Sequence, residues 1–242
     1  MNLHMKKGKL CVGLPMLVLF VMLFPSCVST RFVPTGMNEI PMYGNAKFTE
    51  KQKEANDKFL QDMLTSGYTN ESGSNEVVKT GFRYLNRGDF STSIKRFNQG
   101  WLLNPENPEV YSGFGIWYGK QQEYEKAVEM LSIGLQKDPK HKFILHDIGY
   151  TYNMLGIESK NSGLTSNATE YFAKAIEYLL KDIELYPEYG VAYVTVSASF
   201  MQLGRFDEAV VYAEKASKLN EKLEMGYLEY LKSERDKAKR VN

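Results

Sequence analysis

Cysteine is nearly absent from this 242-residue chain: Cys11 and Cys27 are its two, and both fall in the first 27 residues. A disulfide framework is therefore excluded, and beyond residue 27 there is neither a thiol nucleophile nor a thiolate metal site. Histidine is scarce too. Of three, only His141 and His146 lie in the body, and a spacing of five does not set both on one helix face. Asp138 and Asp147 are near them in sequence, yet ordinary surface histidines are the expectation over a metal site. No Gly-rich phosphate loop, nucleophile elbow or histidine–glutamate zinc motif is present. Charge of one sign is lacking as well, with 30 basic residues against 29 acidic. Without Lys6, Lys7 and Lys9, 27 bases face 29 acids, and a slightly acidic body with no basic run argues against nucleic acid as the partner. No cofactor and no small-molecule substrate are expected.

One long apolar run exists, Leu10–Phe24, preceded by a basic stretch and followed by Pro25-Ser26-Cys27. Fifteen residues interrupted by Gly13 and Pro15 are short for the ~30 Å hydrocarbon layer and fit the apolar region of a secretory signal over 1–26. The alternative is an uncleaved N-terminal anchor. A small residue directly before cysteine resembles the cleavage motif of bacterial lipoproteins, although Phe24 and Pro25 depart from its usual residues. The resemblance implies lipidation of Cys27 and attachment to the membrane by more than one acyl chain. Val28-Ser29-Thr30 carries neither the aspartate of inner-membrane retention nor an acidic surface-export run, so an outer-membrane anchor facing the periplasm is expected. Residues 27–48, with Pro34, Gly36, Pro41 and Gly44, read as a flexible tether.

The body is periodic. Gly81, Gly115 and Gly149 are 34 apart, as are Tyr84, Tyr118 and Tyr152, and Pro105 and Pro139. After Gly156 the register returns shifted by fourteen residues, at Pro187 and Ser197. This pattern resembles the tetratricopeptide repeat, with a large residue at position 4, Gly at 8, Tyr at 11, Ala at 20, a large residue at 24, Ala at 27 and Pro at 32. Four repeats follow at 74–107, 108–141, 142–189 and 190–223, the third with a polar insertion at 157–169 that reads as a surface loop. The resemblance implies an all-α, right-handed solenoid of helix pairs. Residues 49–73 supply an N-terminal helix and loop, with Thr49 and Gln52 spaced as a capping box, and 224–242 a polar capping helix. Asp182 stands where position 27 requires a small residue.

In such solenoids the first helix of each pair lines a concave face through positions 2, 5, 9, 12 and 13. The candidate groove residues are thus Val78, Phe82, Leu85 and Asn86; Ile116 and Lys120; Phe143, His146, Tyr150 and Asn153; and Val191, Val194 and Met201. That face is mostly apolar, which marks a surface for a protein partner. The lysines and asparagines that clamp chaperone carboxylates in some relatives are replaced by Val78, Phe82, Gly113, Phe143 and Asp147. A filled groove, covered by the N-terminal helix or the insertion, is the alternative. Two functions remain open: an envelope adaptor without catalysis of its own, and an assembly factor for an outer-membrane complex of the barrel-assembly or pilus-secretin kind. A metal enzyme built on His146 is the remaining class.

Overall fold

Pro105, Pro139 and Pro187 each sit in a turn just after a helix, where the missing N–H and fixed φ stop one helix before the next begins. In the computed structural model, which describes residues 32–241, the chain forms ten α-helices, and these turns fall in three of the connections; no strand occurs among the described residues. They are α1 Glu50–Thr65, α2 Asn70–Asn86, α3 Phe90–Leu103, α4 Pro108–Gly119, α5 Tyr124–Lys137, α6 Lys142–Asn161, α7 Thr165–Leu185, α8 Gly190–Gln202, α9 Phe206–Lys218 and α10 Tyr227–Val241. None of them is long and apolar enough to cross a membrane. The signal segment, the apolar run and Cys27 lie outside the described residues.

The helices pair in sequence order, α2 with α3, α4 with α5, α6 with α7 and α8 with α9, and each pair packs on the next. The pairing follows from size complementarity at two repeat positions. A Cβ at Gly81 would stand 2.6 Å from Phe97, one at Gly115 2.5 Å from Leu131, and one at Gly149 2.6 Å from Leu179. Position 8 is bare because position 24 fills it. Tyrosines at position 4 then tie the turns: Tyr111 Oη donates to the Pro105 carbonyl at 2.8 Å and Tyr193 Oη to that of Pro187 at 3.0 Å. At the C-terminal end α10 closes the stack with Leu231, fully buried, and with Tyr227 Oη 3.0 Å from Ser197 Oγ. Thr49 and Gln52 form the capping box of α1, but no α1 residue is buried.

Two readings of the sequence need correction. The insertion is not a loop. α6 runs on to Asn161 and α7 starts at Thr165, so the extra residues lengthen both helices into a projecting hairpin. Its seam is closed by Phe172, 1% exposed, over Gly156, with Leu155 and Ala168 also buried.

The tether reading fails for its described part. Residues 36–48 form a strap of two short 3₁₀ segments against α3. Asn98 Nδ2 donates to the carbonyls of Asn38 and Ile40 at 3.0 and 2.8 Å. Glu39, 5% exposed, accepts from Ser91 Oγ at 2.5 Å and Lys95 Nζ at 2.9 Å. Ser91 first, then the Thr35 amide and Lys95, hold its carboxyl down to about 2. The strap's ionic tie is therefore complete above the ordinary carboxylate range and is lost only as pH falls toward about 2. Asn98→Ala is expected to free the strap. Amide exchange at 39–45 should speed up about tenfold or more, as the carbonyls of Asn38 and Ile40 lose their shared donor, while α4–α9 keep their protection.

Candidate functional site

The first helices of repeats three and four, α6 and α8, carry exposed apolar surface. Phe143 is 52% exposed, Tyr150 49% and Val191 36%, and large apolar side chains left in water together mark an interaction surface. Phe143 lies edge-on to Tyr189 at 6.2 Å, and His146 edge-on to the same ring at 5.4 Å. Lys142 Nζ sits 4.5 Å from the Tyr189 ring centre, a cation–π contact that covers one side of the tyrosine.

His146 links the two helices. Its Nε2 is 3.3 Å from Thr195 Oγ1 on α8 and its Nδ1 3.4 Å from Asp147 Oδ1, while its ring stacks on Tyr150 at 6.4 Å. His141 has a structural role one turn earlier. Its Nδ1 accepts from the Ile144 amide at 3.3 Å, capping α6, so the proton is assigned to Nε2, which faces Glu109 Oε1 at 3.1 Å. That bond to Glu109 raises the His141 pKa. Among the described residues no cluster of three His, Cys, Asp or Glu is placed to hold a metal.

Between α4 and α6 lies a cleft of about 320 Å³. Gly115, Ile116, Gly119 and Lys120 form its α4 side, His146, Asp147, Tyr150 and Thr151 its α6 side, and Tyr124 and Leu131 of α5 its base. The rim is charged and the interior apolar.

Of the residues expected to line the groove, Ile116, Lys120, His146 and Tyr150 meet in this cleft, while Phe143 and Val191 lie outside its lining, on α6 and α8. Val194 and Met201 are half-buried along α8. Repeat one behaves differently. Val78 and Leu85 are 2% and 3% exposed and belong to the core shared with α4, where Val78 lies over Gly100. Asn153 is likewise buried, at 6%. These three do not face a partner, which corrects their assignment. Phe82 is half-buried, edge-on to Phe97 at 5.1 Å, and Asn86 is exposed at the end of α2. The N-terminal helix and strap pack on α3, and Phe143 and Tyr150 stay exposed. Tyr189, Tyr124 and Gly119 were missed from the sequence. Gly119 occupies a lining position of its repeat, position 12, but has no side chain to flag it; Tyr189 sits in a turn, outside the concave register altogether.

A family model for the tetratricopeptide repeat matches residues 191–223, the fourth repeat. Photosystem I assembly protein Ycf3 of Prochlorococcus marinus (strain MIT 9211) is 27% identical over 113 residues, 45% of this chain and 65% of that protein. The chain thus spans less than two thirds of that relative's length. Superkiller complex protein 3 of Homo sapiens is 30% identical over 100 residues, 40% of this chain and 6% of its own. Two solved structures share the fold: a thermophilic TPR protein of Thermus thermophilus (TM-score 0.54, 16% identity, 60% of this chain and 74% of that one) and MamA of Desulfovibrio magneticus (TM-score 0.55, 16% identity, 69% and 88%).

Proposed function

We propose that this tetratricopeptide-repeat chain, a protein–protein interaction scaffold by its fold, binds a segment of a partner protein along the concave face of α4, α6 and α8. The observation that carries the reading is the exposure of Phe143, Tyr150 and Val191 on α6 and α8, together with the cleft that Tyr150 lines. Apolar side chains held rigidly on neighbouring helices bury their area against a ligand with little ordering cost of their own. Val78 and Leu85 of repeat one contribute stability to that face rather than contacts. The sequence before residue 28 supports a further part of the proposal: a lipid on Cys27 holds the scaffold to a bacterial envelope membrane, the outer one facing the periplasm, where it acts as an adaptor.

Photo-crosslinking tests the site. With a reactive residue at Tyr150 or Val194, one and the same protein is expected from both positions and not from Val211, which is exposed on α9. Recovery from Val211 alone would move the site to the second helices. An assembly factor is the second reading, favoured by the relative named as a photosystem I assembly protein. A stoichiometric complex that survives purification points to it, and short-lived, varied partners to the adaptor.

A further inference from the structure

The cleft between α4 and α6 has a shape and a charge of its own. A Cβ built on Gly119 meets nothing within 4 Å, so the wall there is bare backbone facing open space. Opposite stands the half-exposed ring of Tyr150, and Ile116 and Leu131 line the interior. A volume of about 320 Å³ lies at the bottom of the ~300–1,000 Å³ range of ligand pockets and holds a single large side chain. A flat ring there reaches the Tyr150 face on one side and the glycine backbone on the other.

The rim has two charges of opposite sign, and they are not equivalent. Asp147 on α6 already faces the His146 imidazole at 3.4 Å and is half-buried. Lys120, at the C-terminal cap of α4, is exposed and pairs with no carboxylate among the described residues. The phenol of Tyr124 lines the same cleft. A free ammonium at the edge of an apolar cavity favours an anion, and the Tyr124 hydroxyl adds a donor at the base of the same cavity.

We infer that the cleft is an anchor site for one aromatic or large aliphatic side chain of a partner protein segment that carries an aspartate or glutamate next to it, the carboxylate pairing with Lys120. This rests on the groove reading and specifies its ligand. The apolar side chain supplies most of the affinity and the carboxylate sets the choice among segments, as charges at a rim do.

The test is selection of seven-residue peptides displayed on phage against the full chain in detergent micelles, followed by affinity measurement with the enriched peptides. An aromatic or large aliphatic residue with Asp or Glu within two positions is expected to dominate. Gly119→Trp fills the cleft from a position with free space around it, and should lower affinity about tenfold or more while leaving the helical circular dichroism and Tm unchanged. Lys120→Glu should invert the preference from acidic to basic neighbours, most clearly at low salt. Peptides that need Phe143 and Val191 but ignore Gly119→Trp would overturn the anchor and leave the groove reading intact. Peptides indifferent to all four residues would overturn both. Failure to enrich any sequence overturns the anchor, with the crosslinking from Tyr150 and Val194 then deciding the groove.

Discussion

Phe97→Ala is expected to destabilise the N-terminal half of the solenoid by about 3–5 kcal/mol, the cost of emptying a fully packed aromatic site. Phe97 has no exposed surface. Its ring lies between two helices at places where each lacks a side chain: a Cβ at Gly81 would stand 2.6 Å from it and one at Gly113 2.5 Å. Phe82 and Phe114 meet it edge-on at 5.1 and 6.3 Å. One side chain thus joins the two helices of repeat one to each other and repeat one to repeat two. Neither glycine helix has atoms to move into the void, so collapse recovers little of the loss.

Urea unfolding followed by circular dichroism measures the change. Amide exchange locates it, because stability in a solenoid is shared between neighbours: α2–α4 should lose protection first and α8–α10 last. Gly113→Ala approaches the same site from the other side, forcing a methyl group against the ring at an expected cost of about 1–3 kcal/mol. Combined with Phe97→Leu it should recover part of that loss, since a leucine opposite a glycine is what repeat two already uses at Leu131 and Gly115. A loss under about 1 kcal/mol for Phe97→Ala would refute the interlock.

Asp182→Ala should do the opposite and stabilise the protein at neutral pH. Asp182 is wholly buried, and both carboxylate oxygens lack a hydrogen-bond partner. Burial pushes its pKa up to about 6, against the opposing pull of His146 and Lys142 on α6, and with smaller upward pushes from Asp147 and Glu188. The folded-state value lies above the ordinary 3.8. The folded protein therefore binds a proton that the unfolded chain has released, and stability falls as pH rises from about 4 through about 6, then levels off.

A difference of about two pKa units corresponds to about 3 kcal/mol. The hole left by removing the carboxyl takes back about 1 kcal/mol of it. A net gain of about 1–2 kcal/mol is expected at pH 7.5, a rise of several degrees in Tm for a body of this size. Near pH 4 the gain should vanish or change sign. Parallel melting curves of the two proteins between pH 4 and 8 decide it: a constant difference across that range would mean that Asp182 is not the titrating group. The packing around Asp182 shows how the fold accommodates it. The equivalent residues of the first two repeats are Gly100 and Gly134, pressed by Val110 and Ile144 of the next repeat. In the third, Ala192 takes the place of those branched side chains.

The spacing of glycines, tyrosines and prolines carried the all-helical solenoid of helix pairs, because each pair is built from contacts between residues fewer than about forty apart. Position 24 answers position 8 within one repeat, and the pattern is visible without knowing any distant contact. Asp182 announced itself as a departure from that pattern, although only its surroundings show that no donor reaches it.

What the sequence did not determine lies between segments. The insertion reads as a loop from its Gly, Ser and Asn content, yet its two arms give each other a buried face, Leu155 and Gly156 against Ala168 and Phe172, and a paired helix outweighs weak propensity. The strap reads as a linker from its prolines and glycines. It is ordered because Ser91, Lys95 and Asn98, more than fifty residues further on, satisfy Glu39 and two of its carbonyls. The concave register likewise marks Val78 and Tyr150 alike. Close packing of repeats one and two through Phe97 buries the first, while the wider opening between α4 and α6 leaves the second in water. The distance between neighbouring helices, set by which side chains meet across it, decided which of the marked positions became surface.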